Sequence, residues 1–267
     1  MYYKRLSAAA AFAAITLAVT STAQAAVVRI TDTDFNANAG VITFSEFGVG
    51  TVNPTYTPAD YGGGAGAPTV TTGGFFLGQS LSLDAANDCP GAAATACVVG
   101  SPSGPLSIDP NAPDAFITTD SSFPTSPTLS GFPRFNGPIA LLFSMDQLAV
   151  GFDGGFFNAP QSTGITAFAR DGSLLGTVSN DNNGVEFLGL ISATGQAEIA
   201  GVFLDLVGAE PAGFNIDNVR FGGAGQVVVP PTVVTPPTTP PSTIPLPAGF
   251  PLLLAGLAGL AFARRKT

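Results

Sequence analysis

Carboxylates are the one abundant reactive group in this chain. There are 18 Asp and Glu residues, all between Asp32 and Asp217, and no histidine. The usual general base near neutral pH and the commonest transition-metal ligand are therefore missing. Carboxylates alone can hold a hard cation such as calcium, or act in pairs as acid and base on a glycosidic bond. Glu46 and Asp217 stand apart because each interrupts an otherwise apolar stretch, residues 41–47 (VITFSEF) and 214–221 (FNIDNVRF). Both stretches read as strands, one near the start and one at the end of the body. If these strands are neighbours, the two carboxylates and nearby carbonyls would make a calcium site. The competing reading has both facing solvent, or Asp217 paired with Arg220. The sequences Asp153-Gly154-Gly155, Asp171-Gly172 and Asp181-Asn182-Asn183-Gly184 read as turns, where Asp and Asn tolerate the backbone angles required. None has the spacing of an EF-hand loop. A catalytic carboxylate pair is not nominated by the sequence.

Cys89 and Cys97 are the only cysteines. In an exported chain they are expected to pair, and closing a nine-residue loop contributes about 2.5 kcal/mol in the chain-entropy picture. There is no tryptophan among 267 residues, so any sugar-stacking surface falls to Tyr56, Tyr61 and some of the phenylalanines.

The elements that position these groups are expected to be strands. Apolar content of 45% with only 10% charged residues excludes a solvated, disordered chain. The 33 glycines and 23 prolines argue against long helices. Strand patterns run through residues 41–47, 75–83, 115–119, 139–143, 148–152, 165–170, 174–178, 185–191, 197–206 and 214–221. Asp171-Gly172 suits a type I′ hairpin turn. Residues 50–72 and most of 89–135 read as loops. Strands at this spacing imply an all-β, antiparallel β-sandwich occupying residues 26–222.

The ends are of another kind. Residues 1–25 carry a basic start (Lys4, Arg5), an apolar Ala-rich run, and the small-x-small pattern Ala23-Gln24-Ala25 before Ala26. That is the form of a secretory signal peptide, with an uncleaved anchor as the alternative. Residues 223–243 form an uncharged Pro/Thr-rich linker, stiff at about 3.1 Å per residue. Next come Ile244-Pro245-Leu246-Pro247-Ala248, an apolar run over 249–263, and the basic cluster Arg264, Arg265, Lys266. Fifteen residues make a helix of roughly 22 Å against a hydrocarbon core of about 30 Å. The run spans if the bilayer thins or the basic side chains snorkel. The basic cluster would remain cytoplasmic, leaving the body outside the inner membrane. Between the terminal signals, residues 26–248 hold four arginines and no lysine against 18 carboxylates, a net charge of −14. Such a surface repels phosphate backbones, so nucleic acid is excluded as a partner, and it suits cations or neutral polymers.

The tail resembles the PEP-CTERM sorting signal in its VPLPA form, with Ile244 in place of Val. The resemblance implies an envelope protein of a Gram-negative-type bacterium, recognised and cleaved by a membrane-embedded exosortase. Residues 164–222, with AFARDGSLLGTV, FLGL and GFNIDNVRFG in that order, are also similar to the jelly-roll, lectin-like bodies of that family. The expectation is a non-enzymatic surface or matrix protein that contacts exopolysaccharide or matrix proteins, with a structural calcium as the one cofactor considered. A carboxylate-dependent glycan hydrolase or lyase, or a purely structural matrix component, are the alternatives.

Overall fold

The computed structural model describes residues 27–231. The signal peptide with Ala23, Ala25 and Ala26, the linker beyond residue 231, the motif Ile244–Ala248, the run 249–263 and Arg264, Arg265 and Lys266 lie outside the described residues. Among the described residues, no helix is long and apolar enough to cross a membrane.

Among the described residues fifteen strands are formed, all antiparallel where they pair. They are β1 (Val27–Ile30), β2 (Gly40–Ile42), β3 (Thr55–Tyr56), β4 (Val70–Gly73), β5 (Gln79–Leu81), β6 (Val98–Gly100), β7 (Ala115–Thr119) and β8 (Pro127–Gly131). The second half adds β9 (Ile139–Gln147), β10 (Ala149–Phe157), β11 (Thr163–Phe168), β12 (Leu174–Ser179), β13 (Gly184–Ser192), β14 (Ile199–Leu206) and β15 (Asn215–Gly222). Two sheets result. A seven-stranded sheet runs β1-β13-β10-β15-β8-β7, with β2 also paired to β15, and a six-stranded sheet runs β12-β11-β14-β9-β4-β3.

The sheets face each other as a β-sandwich. Val150, Phe152, Leu188, Leu190, Ile216, Val219 and Phe221 come from one sheet. Ile139, Leu141, Phe143, Ile165, Ala167, Val202 and Leu204 come from the other, and all are in one buried cluster. The six-stranded sheet is buried on its other face too. There Phe168, Ala140, Ala200 and Phe203 pack against Phe75, Phe76 and Leu106 in a second cluster. Every residue of β11 is consequently buried, and apolar side chains occur on both of its faces, as they must when both are covered. Residues 75–112, with the β5–β6 hairpin, form this outer layer. The disulfide between Cys89 and Cys97, with Cα atoms 5.8 Å apart, closes a loop within it.

Several expectations are corrected. The strand over 41–47 stops at Ile42, because Phe44 takes a left-handed φ of 58° to bury its ring and the chain turns at Ser45. Glu46 therefore sits in a turn, not in a strand. Residues 50–72 contain β3 and the start of β4, and 89–135 contain β6 and β8 beside the anticipated β7. The consecutive strands β9 and β10 do not pair. They cross from one sheet to the other at Leu148, whose N–H is held by the Gly222 carbonyl at 2.9 Å. Asp153-Gly154-Gly155 lies inside β10, not in a turn. Of the pair Asp171-Gly172 only Gly172 has positive φ, 86°, and a register shift follows in β12, so the turn is not type I′. The residues after Gly222 do not leave the body at once. Asn36 and Val228 donate backbone hydrogen bonds to Gln226 and Asp34, and Val227 is buried.

Candidate functional site

The strand pair β2–β15 positions the chemistry. Its register places Val219 opposite Ile42 and Phe221 opposite Gly40. On the other side of β15, an extra residue disturbs the pairing with β10 between Gly151 and Asp153. Asn218, at a φ of 46°, occupies this bulge. It lets Ile216 and Val219 both enter the core, and turns Asp217 to the opposite face beside its cross-strand partner Asp153.

Asp217 is only 1% exposed. Its Oδ1 accepts from the Asn218 N–H at 2.7 Å. Burial pushes its carboxyl up to about 6, opposed by that N–H and by Ser126, and reinforced by the charges of Asp153 and Glu46. The Glu46 charge reaches Asp217, and Glu46 stands in a turn rather than in a strand. Glu46 Oε1 accepts from the Thr43 N–H at 2.8 Å and the Thr43 hydroxyl at 3.0 Å. Its Oε2 is buried with no partner, and so is Asn215 Oδ1, two residues before Asp217. Arg220 does not pair with Asp217. It reaches Asp153 at 3.4 Å, and Asn218 Nδ2 donates to the same Asp153 oxygen at 2.9 Å.

Among the described residues, no group of three or more His, Cys, Asp or Glu is arranged to hold a metal ion. A cation here would have two carboxylates and would draw its other ligands from carbonyls, amide oxygens and water. The unpartnered oxygens of Glu46 and Asn215 fit such a hard, oxygen-seeking ion. Acid–base work on a glycan demands exposure instead, and Asp217 offers almost none.

The other end of the same strand pair walls a cleft of about 690 Å³, lined by Asn38, Gly40, Tyr61, the loop Gly62 to Gly66, Asp146, Gln147, Phe221 and Gln226. Tyr61 packs edge-on against Phe221 with ring centroids 5.3 Å apart. Its hydroxyl donates to the Pro68 carbonyl, and burial pushes its pKa up to about 12. Asp146 is held by Arg170 through Nε at 3.0 Å. Gln147 and Gln226 donate through Nε2 to the Met145 and Asn38 carbonyls, each at 2.7 Å. The amides are thereby fixed in orientation along a glycine-rich wall. The other candidate stacking residue, Tyr56, is fully buried between Phe44 and Phe47 and offers no platform.

A carboxylate the sequence did not single out is Glu210, which is wholly buried. It accepts from the Ser162 hydroxyl at 2.6 Å, the Thr163 hydroxyl at 3.2 Å and the Asn158 N–H at 3.0 Å. Its backbone carbonyl accepts from the Ala93 N–H at 2.9 Å, inside the disulfide loop. Burial raises its pKa against these bonds. Glu210 ties three loops together and faces no solvent. In sequence it stands in an Ala-Glu-Pro stretch with no apolar pattern around it, so no local signal marks it.

No family model, no curated protein and no solved structure matches this chain.

Proposed function

We propose that this is a non-enzymatic exported protein whose jelly-roll, lectin-like body binds neutral exopolysaccharide in the Tyr61 cleft. The observation that carries the reading is the cleft: an aromatic side chain, oriented amides, one carboxylate and an open glycine-rich wall. Such a set pairs with sugar hydroxyls and ring C–H faces, and needs no charge on the ligand. Glu46 and Asp217 bind a structural calcium that fastens the β2 turn to β15. The tail from Ile244 to Thr267 anchors the chain transiently in the inner membrane, where an exosortase cleaves it for release to the cell surface or matrix. Support for that last step comes from the three-part tail alone.

Full-length protein in mild detergent, titrated with bacterial exopolysaccharide in affinity electrophoresis, tests the reading. Saturable retardation that weakens about tenfold in Tyr61→Ala is expected. Release of reducing ends or unsaturated products would establish the carboxylate-dependent hydrolase or lyase alternative. Absence of saturable binding would leave a structural matrix component.

A further inference from the structure

The outer layer of residues 75–112 leaves one part of the six-stranded sheet uncovered. There β11, β12, β14 and the β5–β6 hairpin enclose a pocket of about 200 Å³, separate from the Tyr61 cleft. Strand register builds its floor. Thr177 lies opposite Thr166, and Thr166 opposite Phe203, so the three form a row across three strands. The two threonine hydroxyls are 2.7 Å apart. Two residues beyond Phe203, Asp205 stands opposite Gly164, where the Thr177 methyl packs in place of a side chain. Phe168 also lines the pocket.

The hairpin supplies the complementary donor. Gln79 is 8% exposed. Its Oε1 accepts from the Phe76 N–H at 2.9 Å, which fixes the amide. Its Nε2 makes no hydrogen bond among the described residues, although the side chain lines the pocket. At the pocket's edge this amide donor can serve a bound ligand in place of water. Asp205 is half-buried; desolvation pushes its carboxyl up, partly offset by the Leu206 N–H and the Thr166 hydroxyl.

We propose that this pocket binds a single neutral sugar ring, the end of a glycan chain or a one-residue branch. A fixed carboxylate acceptor beside a free amide donor and two hydroxyls matches adjacent sugar hydroxyls, which must donate and accept at once. Phe168 and Phe203 are only 6% and 2% exposed, so they underlie the pocket without forming a stacking platform, and recognition falls to the polar groups. No arginine or lysine lines the pocket, so a phosphorylated or carboxylated sugar would meet Asp205 unpaired. The pocket is less than a third of the cleft's volume, about 200 against about 690 Å³, which suits a single ring rather than a polymer segment. One carboxylate is a poor set for a divalent cation.

Saturation-transfer NMR on full-length protein in mild detergent decides the matter, using the methyl glycosides of glucose, galactose, mannose and N-acetylglucosamine, with glycerol as the small-polyol control. At least one glycoside should saturate, about tenfold more weakly in Asp205→Asn. Thr177→Val, at an exposed position that does not threaten the fold, should weaken it several-fold and decides the question if Asp205→Asn misfolds. Tyr61→Ala should leave it unchanged, whatever becomes of polymer binding in the cleft. The proposal is overturned if no glycoside saturates, if glycerol binds as tightly, or if Thr177→Val binds like wild type. Loss of binding in Tyr61→Ala alone would place the sugar in the cleft and overturn it too.

Discussion

Asp217 is neutral in the folded chain at pH values where it would be ionised unfolded, since its pKa rises from 3.8 to about 6. The unfolded state then binds fewer protons, and stability falls as pH rises through that window. Without divalent cations the body should lose up to roughly 3 kcal/mol between about pH 4 and pH 6 from this group, at about 1.4 kcal/mol per pH unit. Denaturant melts at several pH values would show it, and Asp217→Asn should flatten that part of the profile. Calcium should reverse the trend above pH 6 and raise the melting temperature, with no rise in Asp217→Ala; no calcium effect in the wild type would refute the cation. Glu210→Ala should cost about 2–4 kcal/mol, because three donors lose their only buried acceptor. Glu46 and Asp217 were legible because a carboxylate in an apolar run is conspicuous. Glu210 and Gln79 were not, since their burial comes from loops and a layer that no local pattern reveals.

At the scale of elements, β15 gives Ile216, Val219 and Phe221 to the main core. Phe221 is buried against both Phe143 and Tyr61. Phe221→Ala should cost about 3–5 kcal/mol in chemical denaturation. The Cys89–Cys97 bond closes a short loop, and its reduction should cost about 2.5 kcal/mol. Free thiols in unreduced protein would contradict the pairing. The second-half strands were readable because each is six to nine residues with strong apolar content. β3, β5 and β6 are two or three residues long, shorter than any period can register. The assignment of strands to sheets was also hidden. The crossing at Leu148 depends on backbone contacts with Gly222, 74 positions away in the chain.

For the molecule as a whole, each arginine of the described body is engaged. Arg29 bridges Glu186 and Asp181, Arg170 holds Asp146, Arg220 holds Asp153, and Arg134 stacks on Phe135 while donating to Thr119. No positive patch remains to recruit an anionic polymer. Binding of a neutral glycan should therefore change less than about twofold between low and high salt, whereas phosphate-directed binding would fall steeply. The overall sandwich could be anticipated from strand spacing, but the third layer that borders the smaller pocket could not, because its residues resemble ordinary loop.

The seven-stranded sheet has its final strand in the middle. β15 is flanked by β10 on one side and by β8 and β2 on the other, so nothing can zip the sheet shut until residue 222 is available. A chain still emerging from the ribosome lacks this central strand and its hydrogen-bonding edges. Were the chain exported as proposed, closure of the sandwich would wait until residue 222 had also crossed, so that the body would pass through unfinished.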